Sequence, residues 1–224
     1  MDKMARYIVG IDEVGRGPLA GPVAVCAFLM KEDSFLENPK EKKLPKLKDS
    51  KKLSKKQREV WFEYLKVAKT EGLCNYVVSF VSPENIDKFG LAKCIQKALN
   101  ESLKKVASQN LPNFLELSLK GSDADKNLED SASLASYHIF LDGGLKAPAE
   151  YVNQETIIRG DELHPVISLA SIVAKVTRDA VMTKYAKTYP EYGFEKHSGY
   201  GTRAHYTAIK AYGLTPIHRK SFIH

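Results

Sequence analysis

The chain has 224 residues, of which 43% are hydrophobic and 27% charged, a balance typical of a globular protein with a buried core. No apolar run approaches the roughly 20 residues that a membrane-spanning helix needs, and the N-terminus lacks the apolar segment of a secretory signal. We therefore expect a cytoplasmic protein with no membrane partner. Three widely spaced cysteines argue against a disulfide framework or a structural zinc site. The net charge of +7 favours polyanion binding but does not identify the polyanion.

The N-terminal region predicts two buried strands joined by a turn. Residues 7–11 are apolar and mostly β-branched, which predicts a strand that ends at Asp12. A turn rich in glycine and proline follows at 15–22, and residues 23–30 predict the second strand. The lysine-rich stretch 31–56 predicts an exposed connection.

Two amphipathic helices are predicted in the middle of the chain. Ser54 and Gln57 predict a capping box at the start of the first, which Gly72 ends, and residues 73–81 predict a strand between the helices. The expected buried face of the first helix comprises Val60, Trp61, Tyr64, Leu65 and Ala68. That of the second comprises Leu91, Ile95, Leu99, Leu103 and Val106.

The second half of the chain predicts two more strands and two helices. Residues 119–134 are polar and predict a surface excursion. Strands are expected at 137–141 and 155–158, and helices at 166–187 and 202–212. The longer helix carries small side chains on one face, which would let it pack closely on the sheet; they are Ala170, Ser171 and Ala174. The mixture predicts an α/β fold.

Carboxylates follow three of the predicted strands: Asp12 with Glu13, then Asp142, then Asp161. Ligand-binding groups in α/β sheets gather at strand ends, although most acid pairs in proteins are solvated surface groups. If these acids converge, their repulsion raises their pKa values unless cations compensate. Oxygen ligands select Mg²⁺ or Mn²⁺, and two such ions can promote phosphodiester cleavage. The six histidines lack paired metal-ligand spacing, and we expect them to be structural or surface groups.

Six blocks of sequence stand out across nearly the whole chain: residues 10–23 (Gly-Ile-Asp-Glu-Val-Gly-Arg-Gly-Pro-Leu-Ala-Gly-Pro-Val), 49–54, 141–143, 160–161 with 167–179, 192–202 and 218–222. In their residues and in their order, these blocks resemble the ribonuclease HII family. The resemblance implies a ribonuclease H-like α/β fold, with a five-stranded mixed sheet flanked by helices and a C-terminal helical segment. Residues 1–190 would form the catalytic domain, and 191–224 the segment that contributes to substrate binding.

The same resemblance implies an activity and a set of site residues. The activity is hydrolysis of the RNA strand of RNA–DNA hybrids and incision at ribonucleotides embedded in duplex DNA. It requires Mg²⁺ or Mn²⁺ and leaves 3′-hydroxyl and 5′-phosphate ends. The residues that match the family's catalytic and metal-binding acids are Asp12, Glu13, Asp142 and Asp161. The residues that match its substrate contacts are Gly15, Arg16 and Gly17 at the ribose 2′-hydroxyl, Tyr200 at the neighbouring deoxyribose, and Lys51 and Lys52 at phosphates.

The matched substrate residues suit these roles physically. Glycine at 15 and 17 removes Cβ atoms that would block a close backbone approach to a sugar, and the 2′-hydroxyl distinguishes RNA from DNA. An aromatic ring such as Tyr200 packs without reading sequence. The structural alternatives are that Gly15 and Gly17 only form a tight turn, and that the ring of Tyr200 only packs at the edge of the core. The chain departs from the family at Ser198, where a lysine is frequent, and at Arg159, which also replaces a lysine.

Two other functions compete with this interpretation. A ribonuclease HIII-like enzyme would lack the Gly-Arg-Gly turn and usually carries an N-terminal substrate-binding extension, whereas here Asp12 comes almost at once. A nucleic-acid-binding module without catalysis would not need all four acids. We expect the enzyme to act as a monomer.

Overall fold

The computed structural model describes residues 6–32, 44–110 and 136–223. The predicted surface excursion at 119–134 lies outside these ranges, as do residues 33–43 of the predicted exposed connection. Within the described ranges, no helix is both long and apolar enough to cross a membrane.

The centre of the molecule is a five-stranded mixed sheet in the order β3-β2-β1-β4-β5. Its strands are β1 Arg6–Val14, β2 Val23–Lys31, β3 Cys74–Val81, β4 Ser136–Asp142 and β5 Gln154–Ile157. Strands β1, β2 and β3 pair antiparallel, whereas β4 runs parallel to both β1 and β5. This topology confirms the predicted mixed α/β sheet. Strand β1 lies where the antiparallel part of the sheet meets the parallel part.

Helices α1 Lys55–Thr70 and α5 Pro165–Thr188 pack on one face of the sheet, and α2 Pro83–Phe89 and α3 Leu91–Asn110 pack on the other. The short helix α4 Gly160–Leu163 precedes α5, and α6 Phe194–His197 and α7 Arg203–Tyr212 lie in the C-terminal segment. Short 3₁₀ turns occupy Ser50–Lys52, Pro190–Tyr192 and Lys220–Phe222. The predicted capping box is confirmed: Ser54 Oγ accepts from the Gln57 amide at 3.2 Å, and Gln57 Oε1 accepts from the Ser54 amide at 2.9 Å.

The side-chain alternation of β1 divides its residues between two apolar cores. Val9 and Ile11 pack with α3 on one face, whereas Ile8 packs with α1 and α5 on the other. Helix α5 approaches β1 so closely that a Cβ on Gly10 would lie 2.2 Å from the Val166 carbonyl oxygen. The predicted small face of α5 is buried as expected: Ala170, Ser171 and Ala174. Asp12 follows Ile8 and Gly10 on the α5 side.

A third core joins the C-terminal segment to the turn after β1. Its buried members are Ala20, Met182, Tyr192, Phe194, Ala208 and Ile217. Ala20 also forms a β-bridge with His218. The C-terminal segment therefore packs directly against α5 and the residues that follow β1.

Several local predictions near the acids were wrong. Strand β1 continues to Val14, so Asp12 and Glu13 lie inside the strand and pair with β2. Asp161 does not follow a strand directly but lies in α4, because Arg159 adopts a left-handed conformation (φ 56°) that turns the chain. The connection at 31–56 is not wholly exposed, since Asp49, Ser50 and Leu53 are buried.

Two helix predictions also needed correction. Val60 is 38% exposed, because the buried stripe of α1 follows Trp61, Leu65 and Ala68, and Val60 lies beside it. Helix α2 was not predicted, although its start carries the expected signals: Ser82 Oγ accepts from the Asn85 amide, and Pro83 occupies the first turn.

Candidate active site

The four predicted acids lie at one end of the sheet and form what we call the acid cluster: Asp12, Glu13, Asp142 and Asp161. Asp12 and Asp161 are only 6% and 4% exposed. Asp142 Oδ1 accepts from the Gly160 amide at 2.7 Å and the Asp161 amide at 3.4 Å, which fixes α4 against the end of β4. Gly160 packs closely here, since a Cβ there would lie 2.5 Å from Ile167 Cδ1 and would displace that side chain.

Burial, together with mutual repulsion, raises the pKa values of three acids in this cluster, Asp12, Glu13 and Asp161. The pKa of Asp12 lies well above its ordinary value because the group is buried and because Glu13, and then the other two acids, repel its charge. Burial is also the main cause of the raised pKa values of Glu13 and Asp161, and Asp142 raises both further. The structure therefore brings all four acids within range of one another, and their charges are incompletely compensated.

The three predicted cationic substrate contacts lie beside the acids. Arg16 Nη1 is 3.1 Å from Glu13 Oε1, and Lys51 Nζ is 3.4 Å from Asp161 Oδ2. Lys52 Nζ is 2.6 Å from Glu162 Oε2. These contacts are on the rim of the site, where the Arg16, Lys51 and Lys52 side chains are 58%, 81% and 56% exposed. Their charged ends can reach a bound phosphate by leaving these screened pairs.

Three polar residues support the acid cluster, although the sequence did not indicate this role for them: Asp49, Ser50 and Ser171. Asp49 Oδ1 accepts from the Lys51 amide at 2.8 Å, and the Asp49 side chain also hydrogen-bonds Asp161 and raises its pKa. Ser50 Oγ and Ser171 Oγ are 2.7 Å apart, and Ser171 hydrogen-bonds Asp12. Their positions inside the family blocks were a signal, but residue type alone did not distinguish them from packing residues.

The chemistry of the cluster fits a divalent cation. Glu13 Oε2 is buried and has no hydrogen-bond partner within the described ranges, and an unsatisfied carboxylate oxygen among other acids suits Mg²⁺ or Mn²⁺. In the described part of the chain, no three His, Cys, Asp or Glu side chains are arranged to coordinate one cation as they stand. In the structure, Arg16 contacts Glu13, Lys51 contacts Asp161, and the Gly160 amide of α4 donates to Asp142.

The turn at 15–22, here called the glycine turn, uses its first two glycines for different reasons. Gly15 has φ +90°, and a Cβ there would lie 2.3 Å from Arg178 Nε and 2.8 Å from the Pro22 carbonyl oxygen. Its lack of a side chain serves internal packing, as in the tight-turn alternative, and its contact with a sugar stays a prediction. A Cβ on Gly17 would meet only Tyr200 Cε1, at 3.7 Å. Gly17 therefore lies beside Tyr200 on an open surface, and Tyr200 is 42% exposed.

The loop at 197–202, here called the Tyr200 loop, is anchored to α5 through the position that departs from the family. Ser198 has a left-handed backbone (φ 49°), and its Oγ donates to Asp179 Oδ1 at 2.9 Å. Lys175 Nζ lies 2.9 Å from the same Asp179 oxygen. The Tyr200 amide donates to the His197 carbonyl at 2.9 Å, which closes the loop.

A chain of neutral histidines supports the carbonyl of Tyr200. The Thr215 amide donates to His218 Nδ1 at 2.9 Å, so His218 carries its proton on Nε2, which is 3.0 Å from His205 Nε2. His205 then carries its proton on Nδ1 and donates to the Tyr200 carbonyl at 3.0 Å. Burial, followed by repulsion from His205, lowers the pKa of His218 to about 4, and burial lowers that of His205. These residues brace the loop, in agreement with the structural role predicted for the histidines.

Comparisons with known proteins agree with this geometry. The family model for Ribonuclease HII matches residues 9–224. Ribonuclease HII of Clostridioides difficile is 38% identical over 222 residues, covering 99% of this chain and 72% of that protein. Ribonuclease HII of Bacillus cytotoxicus is 40% identical over 216 residues, covering 96% and 68%.

Two solved structures share the fold. Ribonuclease HII of Archaeoglobus fulgidus, solved in complex with PCNA, superposes with a TM-score of 0.63 at 24% identity, covering 99% of this chain and 96% of that one. Bst-RNase HIII, solved in complex with Mn²⁺, has a TM-score of 0.64 at 16% identity, covering 98% and 68%. At 24% and 16% identity, these two structures show the fold alone. The assignment to a family rests on the family model and on the relatives in sequence. The chain belongs to the ribonuclease HII family and is a ribonuclease H, one of the metal-dependent endonucleases that act on RNA–DNA hybrids.

Proposed function

We propose that this chain hydrolyses the RNA strand of RNA–DNA hybrids and also incises duplex DNA at embedded ribonucleotides, leaving 3′-hydroxyl and 5′-phosphate ends. The observation that carries the proposal is the junction between the acid cluster and the glycine turn. Arg16 belongs to both, since its side chain binds Glu13 while its backbone lies between Gly15 and Gly17. A ribose bound by the glycine turn would therefore place its adjoining phosphodiester next to the acid cluster.

The acid cluster is the proposed metal site, with Asp12, Glu13, Asp142 and Asp161 as ligands. Two Mg²⁺ or Mn²⁺ ions, when bound, would supply the positive charge that stabilises the attacking and leaving oxygens of phosphodiester hydrolysis. The protein keeps the ligands in place: Ser171 holds Asp12, and the Gly160 and Asp161 amides hold Asp142. Rigid support of this kind keeps reacting groups within the narrow range that catalysis tolerates.

The substrate is held by the remaining proposed contacts. Backbone groups of the glycine turn bind the ribose 2′-hydroxyl, and the exposed ring of Tyr200 packs on the neighbouring deoxyribose. The rim cations Arg16, Lys51 and Lys52 bind phosphates. One chain supplies all of these groups, including Tyr200 from the segment 191–224, and we propose that the enzyme acts as a monomer.

The test is cleavage of three duplexes of one sequence: all DNA, DNA with a single ribonucleotide, and an RNA–DNA hybrid. We expect incision of the second and third with Mg²⁺ or Mn²⁺, and none of the first. Cleavage of the hybrid alone would favour the ribonuclease HIII-like alternative. That alternative has the same fold, as the superposition with Bst-RNase HIII shows. Binding without any cleavage would favour a non-catalytic module.

A further inference from the structure

Two arginines are fully buried beneath the glycine turn and the Tyr200 loop. Arg178, from α5, and Arg219, from the C-terminal segment, both have 0% exposure. Within the described ranges, neither guanidinium forms a salt bridge. Burying an unpaired charge is costly unless every donor is satisfied, so the acceptors of these two groups reveal what they are for.

Arg178 joins the glycine turn to the Tyr200 loop. Its Nε donates to the Pro22 carbonyl at 2.9 Å and its Nη2 to the Ala20 carbonyl at 3.2 Å. Its Nη1 donates to the Ser198 carbonyl at 3.0 Å. One side chain on a rigid helix therefore fixes the distance between the two loops that flank Gly17.

Arg219 binds the part of the turn that contains the Gly-Arg-Gly motif. Its Nη2 donates to the Gly15 carbonyl at 2.7 Å and its Nη1 to the Arg16 carbonyl at 3.0 Å. Its Nε donates to the Gly21 carbonyl at 2.9 Å, at the far end of the same turn. Together the two guanidiniums donate to backbone carbonyls alone in the described structure.

The direction of these carbonyls decides the direction of the amides. In a planar trans peptide, the C=O of one residue and the N–H of the next point in opposite directions. Because Arg219 draws the Gly15 and Arg16 carbonyls inward, the amides of Arg16 and Gly17 point away from the core. Neither amide donates to an acceptor in the described part of the chain, so both are available to a ligand.

We propose that Arg178 and Arg219 are positioning residues that set the specificity for ribose: Arg219 aims the Arg16 and Gly17 amides at the 2′-hydroxyl, and Arg178 holds Tyr200 at the matching distance. The inference rests on the proposed function. It explains why the acceptors are carbonyls of the glycine turn rather than carboxylates, which would bring neutralising charge but no control of amide direction. Burial and the charge of Arg178 lower the pKa of Arg219 to about 9, so Arg219 remains charged at neutral pH.

The experiment measures recognition separately from cleavage. The parent is the full chain carrying Asp142→Asn, which should bind without cutting, and Arg219→Lys and Arg219→Met are added to it. Dissociation constants are measured for a DNA duplex with one ribonucleotide and for the same duplex without it. We expect the preference for the ribonucleotide to fall about tenfold in both variants, as for the loss of one hydrogen bond. Affinity for the all-DNA duplex should change less in Arg219→Lys, which keeps the charge.

Leu99→Ala is the matched control for stability. Leu99 is fully buried in the α3 core, away from both loops, so this variant lowers the melting temperature without touching the turn. We expect it to keep the parent's preference for the ribonucleotide. If Arg219→Met does not fold, Arg219→Lys decides the question alone.

Each remaining outcome has a definite meaning. An unchanged preference in Arg219→Lys, or an equal loss in Leu99→Ala, would overturn the positioning role while leaving the proposed function intact. A parent that shows no preference for the ribonucleotide would overturn both the positioning role and ribose reading by the turn. Cleavage by the wild-type chain on the three duplexes then tells whether the proposed activity itself survives.

Discussion

In the acid cluster, buried carboxylates face one another and meet cations only at the rim, whereas beneath the glycine turn the buried charges are guanidiniums that meet only carbonyls. Glu13 keeps an oxygen without a partner in the described structure, while Arg178 and Arg219 donate from every nitrogen. The first region keeps a carboxylate oxygen without a hydrogen bond, whereas in the second region each guanidinium nitrogen has a carbonyl acceptor although the positive charge has no counter-ion. This difference fits the roles that we propose, in which the acid cluster binds a cation and the buried arginines hold the shape of the backbone.

The largest expected effect comes from removing one acid. Asp142→Asn should keep the Oδ1 acceptor for the Gly160 amide and so preserve the fold, while losing the charge of a proposed metal ligand. We expect cleavage of the hybrid to fall by about 10³-fold or more, in line with a loss of roughly 4 kcal/mol of transition-state stabilisation. The measurement is kcat/KM, with the melting temperature as a check on folding.

Glu63→Gln provides the control, because Glu63 is a surface acid paired with Lys66 outside the cluster. It should retain full activity. Near-normal turnover in Asp142→Asn would contradict the assignment of the cluster as the catalytic site.

Metal binding should relieve the repulsion in the acid cluster and so stabilise the fold. Activity should vanish in EDTA and return with Mg²⁺ or Mn²⁺. At about 100 times the dissociation constant, the ion should add about 2.7 kcal/mol to the free energy of unfolding. The rise in melting temperature should be smaller in Asp142→Asn than in the wild type. Equal rises in the two proteins would place the bound ion elsewhere.

Tyr200→Ala tests the substrate contact of the Tyr200 loop, on the other side of the comparison from the acid cluster. The loss of a stacking contact worth about 1–3 kcal/mol should lower kcat/KM at a lone ribonucleotide by about ten- to a hundredfold. Uniform hybrids offer many registers and should suffer less. The ratio of kcat/KM on the two substrates is the measurement, and an unchanged ratio would make Tyr200 a packing residue.

The two glycines of the Gly-Arg-Gly motif separate substrate effects from folding effects. Gly17→Ala meets only Tyr200 at 3.7 Å, so the melting temperature should hold while cleavage falls by roughly tenfold through obstruction of the sugar. Gly15→Ala would clash with Arg178 at φ +90° and should cost about 1–3 kcal/mol of stability. A thermal melt and a cleavage assay on both variants test the distinction. A similar fall in melting temperature in both variants would show that a side chain at position 17 also clashes with the protein.

The last expected effect concerns pH and the neutral histidines. Because the folded pKa of His218 is about 4 and the unfolded value is 6.5, the stability that it contributes is present above pH 6.5 and is lost as the pH falls toward 4. The raised pKa values of Asp12, Glu13 and Asp161 act with the opposite sign, since those acids take up protons on folding. The His218 contribution must therefore be isolated by mutation.

In His218→Asn, the pH dependence of the free energy of unfolding between pH 6.5 and 4 should lose up to about 1.4 kcal/mol per pH unit, the effect of one proton. Urea unfolding of both proteins at several pH values measures this. Parallel curves for the wild type and His218→Asn would show that His218 does not titrate as a buried neutral group.

Much of the fold was predictable because its elements carry local signals. The apolar run before Asp12, the capping box at Ser54 and the small face of α5 each depend on residues close together in the chain. The errors fell where local signals compete. The strand continues through Asp12 and Glu13 because both residues pair with β2, although the pairing with β4 ends at Ile11, and this pairing overrides the break that two acids suggest.

The sequence by itself determined the five-stranded α/β character, the four acids and the residues of the glycine turn and Tyr200 loop, since each stands in a local pattern or a family block. Only the tertiary structure decided which groups support them. The bond from Arg219 to the Gly15 carbonyl spans 204 positions, and that from Ser50 to Ser171 spans 121. Contacts of such separation leave no periodicity in the sequence, and a carbonyl acceptor exists at every residue. The identity of the acceptor is therefore fixed only when packing brings one particular carbonyl to the buried guanidinium.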